Sequence, residues 1–195
     1  MNCPYCDTPL SELAAECPGC QMNLNRVYSL LGAVPRLDPE LSDHCETLDR
    51  RERKRILQQL RALREAFPQL KPQVLCHHFP DEHPFPLYVF WVHNLGGISS
   101  DRDKAGNNHS VLLVLDPVAH RSAITLGYGL EPFVSREELD ALLDLAGPAW
   151  SGNEWAEGIL TVLEGLGGLL EKAIRRTGEA FDLDLHPGVA RAGEF

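Results

Sequence analysis

Two Cys-x-x-Cys pairs open the chain: Cys3-Pro4-Tyr5-Cys6 and, ten residues further on, Cys17-Pro18-Gly19-Cys20. Each pair can fold into a knuckle that turns two thiolates toward one point, and two knuckles complete the tetrahedral four-sulfur shell that zinc prefers. A shell closed by four protein ligands leaves no position for water or substrate, so the chemistry implied is structural rather than catalytic. Redox chemistry fits less well, because a thioredoxin-like pair needs a strand and helix around it that this segment lacks. Cys45 and Cys76 have no such spacing and read as small buried side chains.

A second group carries oxygen rather than sulfur. Asp101, Asp103, Asn107, Asn108 and Glu131, with Tyr128 nearby, offer carboxylates and amide carbonyls, hard ligands suited to calcium or magnesium. Gly127 and Gly129 would let backbone carbonyls approach an ion closely. The competing reading is that Asn107-Asn108 makes a turn, the two aspartates are solvated and the glycines end a strand. A third group, His77, His78, Asp81, Glu82, His83 and Asp116, matches no metal-ligand spacing and reads as a polar loop, with Arg121 in an ordinary surface role.

Whether these groups meet depends on the elements that carry them. Leu41, Cys45, Leu48, Ile56, Leu60, Leu63 and Phe67 recur at helical spacing and predict a helix over 41–67, ended by Pro68. Its polar face holds basic residues from Arg50 to Arg64 among acidic neighbours, and reads as solvated. Gln73 to His77 is a short candidate strand. From Pro86, the spacing of Leu87, Phe90, Trp91, Leu95 and Ile98 predicts a buried helix. Ser110 to Leu115 is a continuous apolar run, as in a strand buried on both faces, and Arg121 to Leu126 follows after too short a link for a helical crossover, so the two form an antiparallel hairpin. Ser135 and Glu138 form a capping box for one helix, and Asn153 starts a last helix running to about Arg176. If the strands at Gln73 and Ser110 are parallel, Gly127 to Glu131 lies at the sheet end where Asp101 to Asn108 enters. The predicted class is α/β with α+β character: a small mixed sheet packed with helices, behind an N-terminal zinc ribbon. The predicted divisions are a ribbon at 1–24, a linker at 25–40, an α/β domain at 41–176 and a flexible tail at 177–195.

Asn107-Asn108-His109, the apolar strand after it, Arg121 opening the next strand, and Gly127-Tyr128-Gly129-Leu130-Glu131 together resemble the TPM-domain family. The resemblance extends through Trp150-Ser151-Gly152 to Gly158, with His109 at a turn position where the family has glycine. It implies divalent-metal binding and metal-assisted phosphate-ester hydrolysis of the kind associated with some members. The first 24 residues resemble short bacterial zinc ribbons, with Asp7 and Gln21 where glycine is frequent.

Composition narrows the classes. With 18 basic and 28 acidic residues, the net charge of −10 opposes general attraction to nucleic acid or an anionic bilayer. No apolar run reaches the roughly 18 residues of a membrane span, and Met1-Asn2-Cys3-Pro4 does not open like a secretory leader, so a cytoplasmic protein is expected. Three functions follow as expectations: a non-catalytic interaction or scaffold module with a protein partner, a metal-dependent phosphatase, and a nucleic-acid binder acting through the ribbon and the Arg50–Arg64 face. The second is implied by the resemblance, and the third is opposed by charge.

Overall fold

The architecture is taken from a computed structural model, which describes residues 2–11, 14–98 and 108–180, with side chains to Thr177. In chain order the elements are α1 (Leu24–Leu31), β1 (Leu41–Asp43), α2 (Arg50–Ala66), β2 (Lys71–Cys76), α3 (Phe85–Leu95), β3 (Ser110–Asp116), β4 (Arg121–Leu126), α4 (Arg136–Ser151) and α5 (Trp155–Ala180). The strands lie in the order β1-β2-β3-β4, the first three parallel and β4 antiparallel. This is the mixed α/β sheet expected from the sequence.

Every residue of β3 is buried, and its side chains alternate between two cores as a strand's two-residue period demands. Val111, Leu113 and Leu115 join α2, α4 and α5 on one face. Leu112 and Val114 join α3, Val27 of α1, and Cys3, Cys17 and Met22 of the N-terminal segment on the other. The ribbon is thus part of the second face's cover. Where α4 meets α5 the helices approach closely: a methyl group at Gly158 would stand 2.1 Å from Trp150 Nε1, so only glycine fits there.

The helix predicted over 41–67 is shorter than its apolar spacing suggests. Leu41–Asp43 pairs with β2 as a strand, and Asp43 then accepts the backbone N–H groups of Thr47 and Leu48, which holds the chain in a turn. Helix α2 begins only after Asp49, whose carboxylate caps it in a reciprocal box with Glu52. Strand β2 starts two residues earlier than expected and includes Pro72. The Lys71 N–H points to β3, so the donor that Pro72 lacks would point the other way, and β1 begins only opposite Val74. Nothing is lost by the missing N–H. The last helix begins at Trp155 rather than Asn153, which takes a positive φ of 61°, and it continues to Ala180.

Candidate metal centre and the two sheet ends

The two cysteine knuckles are near copies of each other. In the first, Cys3 N donates to Thr8 O and Asp7 N to Cys3 O; in the second, Cys17 N donates to Met22 O and Gln21 N to Cys17 O. Asp7 (φ 58°) and Gln21 (φ 59°) both take the left-handed conformation that closes each turn, where glycine would be easier. The Asn2 side chain donates to Asp7 Oδ1 at 3.0 Å and steadies the first turn.

The four sulfurs come within 4.8 Å of one another, with Cys3–Cys20 at 3.7 Å and Cys6–Cys17 at 3.6 Å. Four sulfurs each about 2.3 Å from one tetrahedral ion stand roughly 3.8 Å apart, whereas a disulfide needs about 2.05 Å. The cluster therefore has the dimensions of a metal shell, and it can hold a metal ion. Hydrogen bonds from the Thr8 hydroxyl and backbone bring the Cys6 thiol down to about 6, while burial and the neighbouring Cys6 sulfur push Cys20 up to about 12. The Arg26 guanidinium donates to Cys20 O at 2.8 Å and ties α1 to the second knuckle. The Tyr5 ring lies 6.3 Å from His83, which in turn lies 6.2 Å from Tyr88 of α3, so the first knuckle rests on the larger domain.

At the sheet end where β3 begins, Asn108 closes the turn. Its carbonyl accepts Gly129 N at 2.9 Å, and its Oδ1 accepts both the N–H and the hydroxyl of Ser110, at 3.1 and 2.7 Å. A methyl group on Gly127 would stand 2.4 Å from Asn108 O, which explains the glycine. Glu131 is exposed beyond this turn, and Tyr128 is half exposed. Asp101, Asp103 and Asn107 lie outside the described residues.

Behind Asn108 sits a residue that neither spacing nor motif singled out. His93 of α3 is buried, with Nε2 2.7 Å from Ser110 Oγ and Nδ1 3.1 Å from Thr125 Oγ1. Because the one hydroxyl proton of Ser110 goes to Asn108, His93 must donate through Nε2 and accept at Nδ1. Burial holds the imidazole neutral, with its pKa brought down to about 4. Ser110 is fully buried, so this serine–histidine pair is a structural strut rather than a nucleophile.

At the opposite end, the polar loop after β2 is built around a buried carboxylate. Asp116 accepts from His78 Nδ1 (3.0 Å), Ala119 N (3.0 Å), Phe79 N (3.1 Å) and an Arg121 guanidinium nitrogen (2.6 Å). Burial pushes this carboxyl up, but Arg121 and the other donors outweigh it and hold the pKa at about 2. Its acceptor positions are all engaged within the chain. Arg121 is no ordinary surface residue: it also binds Asp81 at 2.9 Å and the Phe79 carbonyl at 2.8 Å, and it lies 5.0 Å above the Phe85 ring. His77 and His44 face each other at 3.1 Å between their Nδ1 atoms. Burial pushes the thiols of Cys45 and Cys76 up, as expected of inert side chains. On α2, Arg53, Arg55 and Arg64 are tied to Asp43, Glu157 and Glu40.

Residues 79–169 match the family model of the TPM domain. The match runs from Phe79 through α3, the β3–β4 hairpin and α4 into α5, and so takes in both sheet ends just described. The fold recurs in the solution NMR structure of an N-terminal domain of a protein from P. gingivalis, at 19% identity and a TM-score of 0.55, covering 76% of this chain and 87% of that one. The N-terminal domain of a protein from Corynebacterium glutamicum is also similar, at 19% identity and a TM-score of 0.49 over 69% of this chain and 82% of that one. No curated protein matches the chain. Among the described residues, no helix is long and apolar enough to cross a membrane.

Proposed function

We propose that this protein is a zinc-stabilised, non-catalytic interaction module: a ribbon at 1–24 and a linker at 25–40 carried on the TPM domain, acting on a protein partner in the cytoplasm. The observation that carries the reading is the four-sulfur cluster, whose spacing suits a closed zinc shell with no coordination site for a substrate. The buried polar groups point the same way, since Ser110, His93 and Asp116 direct their hydrogen bonds to other residues of the chain. Elemental analysis of freshly purified protein is expected to give one zinc per chain, released when the thiols are modified. The same protein is expected to leave p-nitrophenyl phosphate intact with calcium or magnesium present. Metal-dependent hydrolysis would overturn the reading.

A metal-dependent phosphatase is the second reading, favoured by the TPM match and by Asn108 and Glu131 flanking one glycine turn at the end of the sheet. It requires calcium or magnesium to bind there, with Asp101, Asp103 and Asn107 as further ligands. Calcium-dependent thermal stabilisation lost in Asp103→Ala is its signature. Nucleic-acid binding through α2 is disfavoured by the net charge of −10, and salt-sensitive retention on mixed DNA and RNA tests it.

A further inference from the structure

The sheet has two edges, and they are not alike. Strand β1 is three residues long, and beside it β2 carries Pro72. Strand β4 is six residues long, and no strand among the described residues pairs with its outer side. Its register shows which groups face outward. Gly127 N donates to Ser110 O, so the pair Ser110–Gly127 is hydrogen-bonded, and by alternation Arg121, Ala123 and Thr125 also point their backbone groups at β3. The N–H and C=O groups of Ser122, Ile124 and Leu126 therefore point away from the sheet. The strand Arg-Ser-Ala-Ile-Thr-Leu carries no proline and no bulge, and its one charge, Arg121, stands at its first residue and is paired with Asp116 and Asp81, so from Ser122 on the edge lacks the usual protections.

A depression of about 440 Å³ opens at the start of this edge, between β4, α4 and the first turn of α5. Trp155 and Trp150 form its apolar wall, and Asp140 and Asp144 of α4 supply two carboxylates. Among the described residues, Asp144 has no ion-pair partner and Asp140 has only the distant Arg136, at 3.8 Å. Arg121, which also lines the depression, has its terminal nitrogens committed to Asp81, Asp116 and Phe79 O. Ile124 packs with the α2–α4–α5 core and Ala123 with the other, so side chains at Ser122 and Ile124 stand on the face where the depression lies.

We propose that the edge of β4 takes up an extended peptide as a fifth strand, with a lysine or arginine of that peptide seated between the tryptophans and the α4 carboxylates. Backbone hydrogen bonds to Ser122 and Ile124 hold the strand regardless of sequence. The depression selects a cationic side chain, whose stem packs on indole while its head meets carboxylate. This names a partner class for the interaction module proposed above and rests on that reading.

The test uses the full-length zinc-loaded protein and three capped eight-residue peptides of alternating valine and threonine, with arginine, alanine or glutamate at one central position. The arginine peptide is expected to bind about tenfold more tightly than the alanine peptide, and the glutamate peptide not at all. Binding is expected to slow amide hydrogen exchange at Ser122 and Ile124. The double substitution Asp140→Asn with Asp144→Asn, both on the exposed side of α4, is expected to abolish the preference for arginine while circular dichroism and melting stay unchanged. Ser122→Pro removes an outward N–H without touching the pairing to β3, and is expected to weaken all the peptides together. Binding that ignores the central residue, or that leaves the edge amides exchanging freely, overturns the proposal. So does self-association through β4 that the arginine peptide does not compete. Phosphatase activity would defeat the interaction-module reading whatever the peptides do, whereas failed peptide binding with zinc present and no hydrolysis defeats the docking site alone.

Discussion

One face of the sheet is covered by three long helices, α2, α4 and α5, of 17, 16 and 26 residues; the other by α3, with 11, and α1, with 8, plus the cysteine-rich ribbon. The first cover is made of apolar stripes that supply their own stability. The second includes a segment too small to bury a core, whose Cys3, Cys17 and Met22 are nevertheless part of the buried interior. A sheet covered on both faces can draw the two covers from different sources of stability, and here one cover carries a four-sulfur cluster that can hold a cation.

Emptying that cluster of any bound cation is the strongest way to break the comparison. Zinc stripping, or Cys17→Ser, is expected to melt the ribbon and cost the second face several kcal/mol, because structural metal binding is folding free energy in segments of this size. The near-ultraviolet signal of Tyr88 and Trp91 should change while most helical signal from α2, α4 and α5 persists. Metal-free protein with an unchanged melting curve would show that the ribbon merely rides on the domain.

Next in size is Asp116→Ala, which leaves Arg121 without its buried partner and frees the Phe79 loop. A loss of about 3–5 kcal/mol in urea unfolding is expected. With its carboxyl at about 2 against an ordinary 3.8, the wild type should lose this contribution only as pH falls from about 4 to about 2. His93 sharpens the comparison in a separate window. Its pKa of about 4 lies below the ordinary 6.5, so the unfolded chain binds the proton first. The stability tied to the neutral imidazole is therefore complete above pH 6.5 and lost as pH falls toward 4, on the order of 3 kcal/mol. Urea midpoints measured across that range should show the decline in wild type and not in His93→Gln. The smallest effect is expected on the self-sufficient face: Asp49→Ala removes the cap of α2 and should cost about 1 kcal/mol. A cost as large as that of Asp116→Ala would mean that this face depends on single polar contacts after all.

Much of this was legible in the sequence, for reasons visible in particular residues. The two Cys-x-x-Cys pairs announced their convergence because metal-ligand spacing is local. The hairpin was readable from Ser110 to Leu126 because a four-residue link permits nothing but an antiparallel return. The start of α2 was misread because Leu41, Cys45 and Leu48 keep helical spacing by chance, while Asp43 and the Asp49–Glu52 box decide the backbone locally. His93 stayed hidden because its partners Ser110 and Thr125 are 17 and 32 residues away, and periodicity carries no record of such contacts. The bridging role of Arg121 was missed for the same reason: Asp81, 40 residues distant, reaches it only after β2 and β3 are paired.

Pro72 and the brevity of β1 have a consequence for assembly. Strand addition needs a run of unsatisfied backbone donors and acceptors, and among the described residues only the β4 margin of this sheet offers one of useful length. Two chains joined margin to margin there would each present a β1 border to the outside, where a third chain finds little to grip. Growth along the hydrogen-bonding direction thus stops at a pair, and the molecule can keep a receptive border without seeding a fibre.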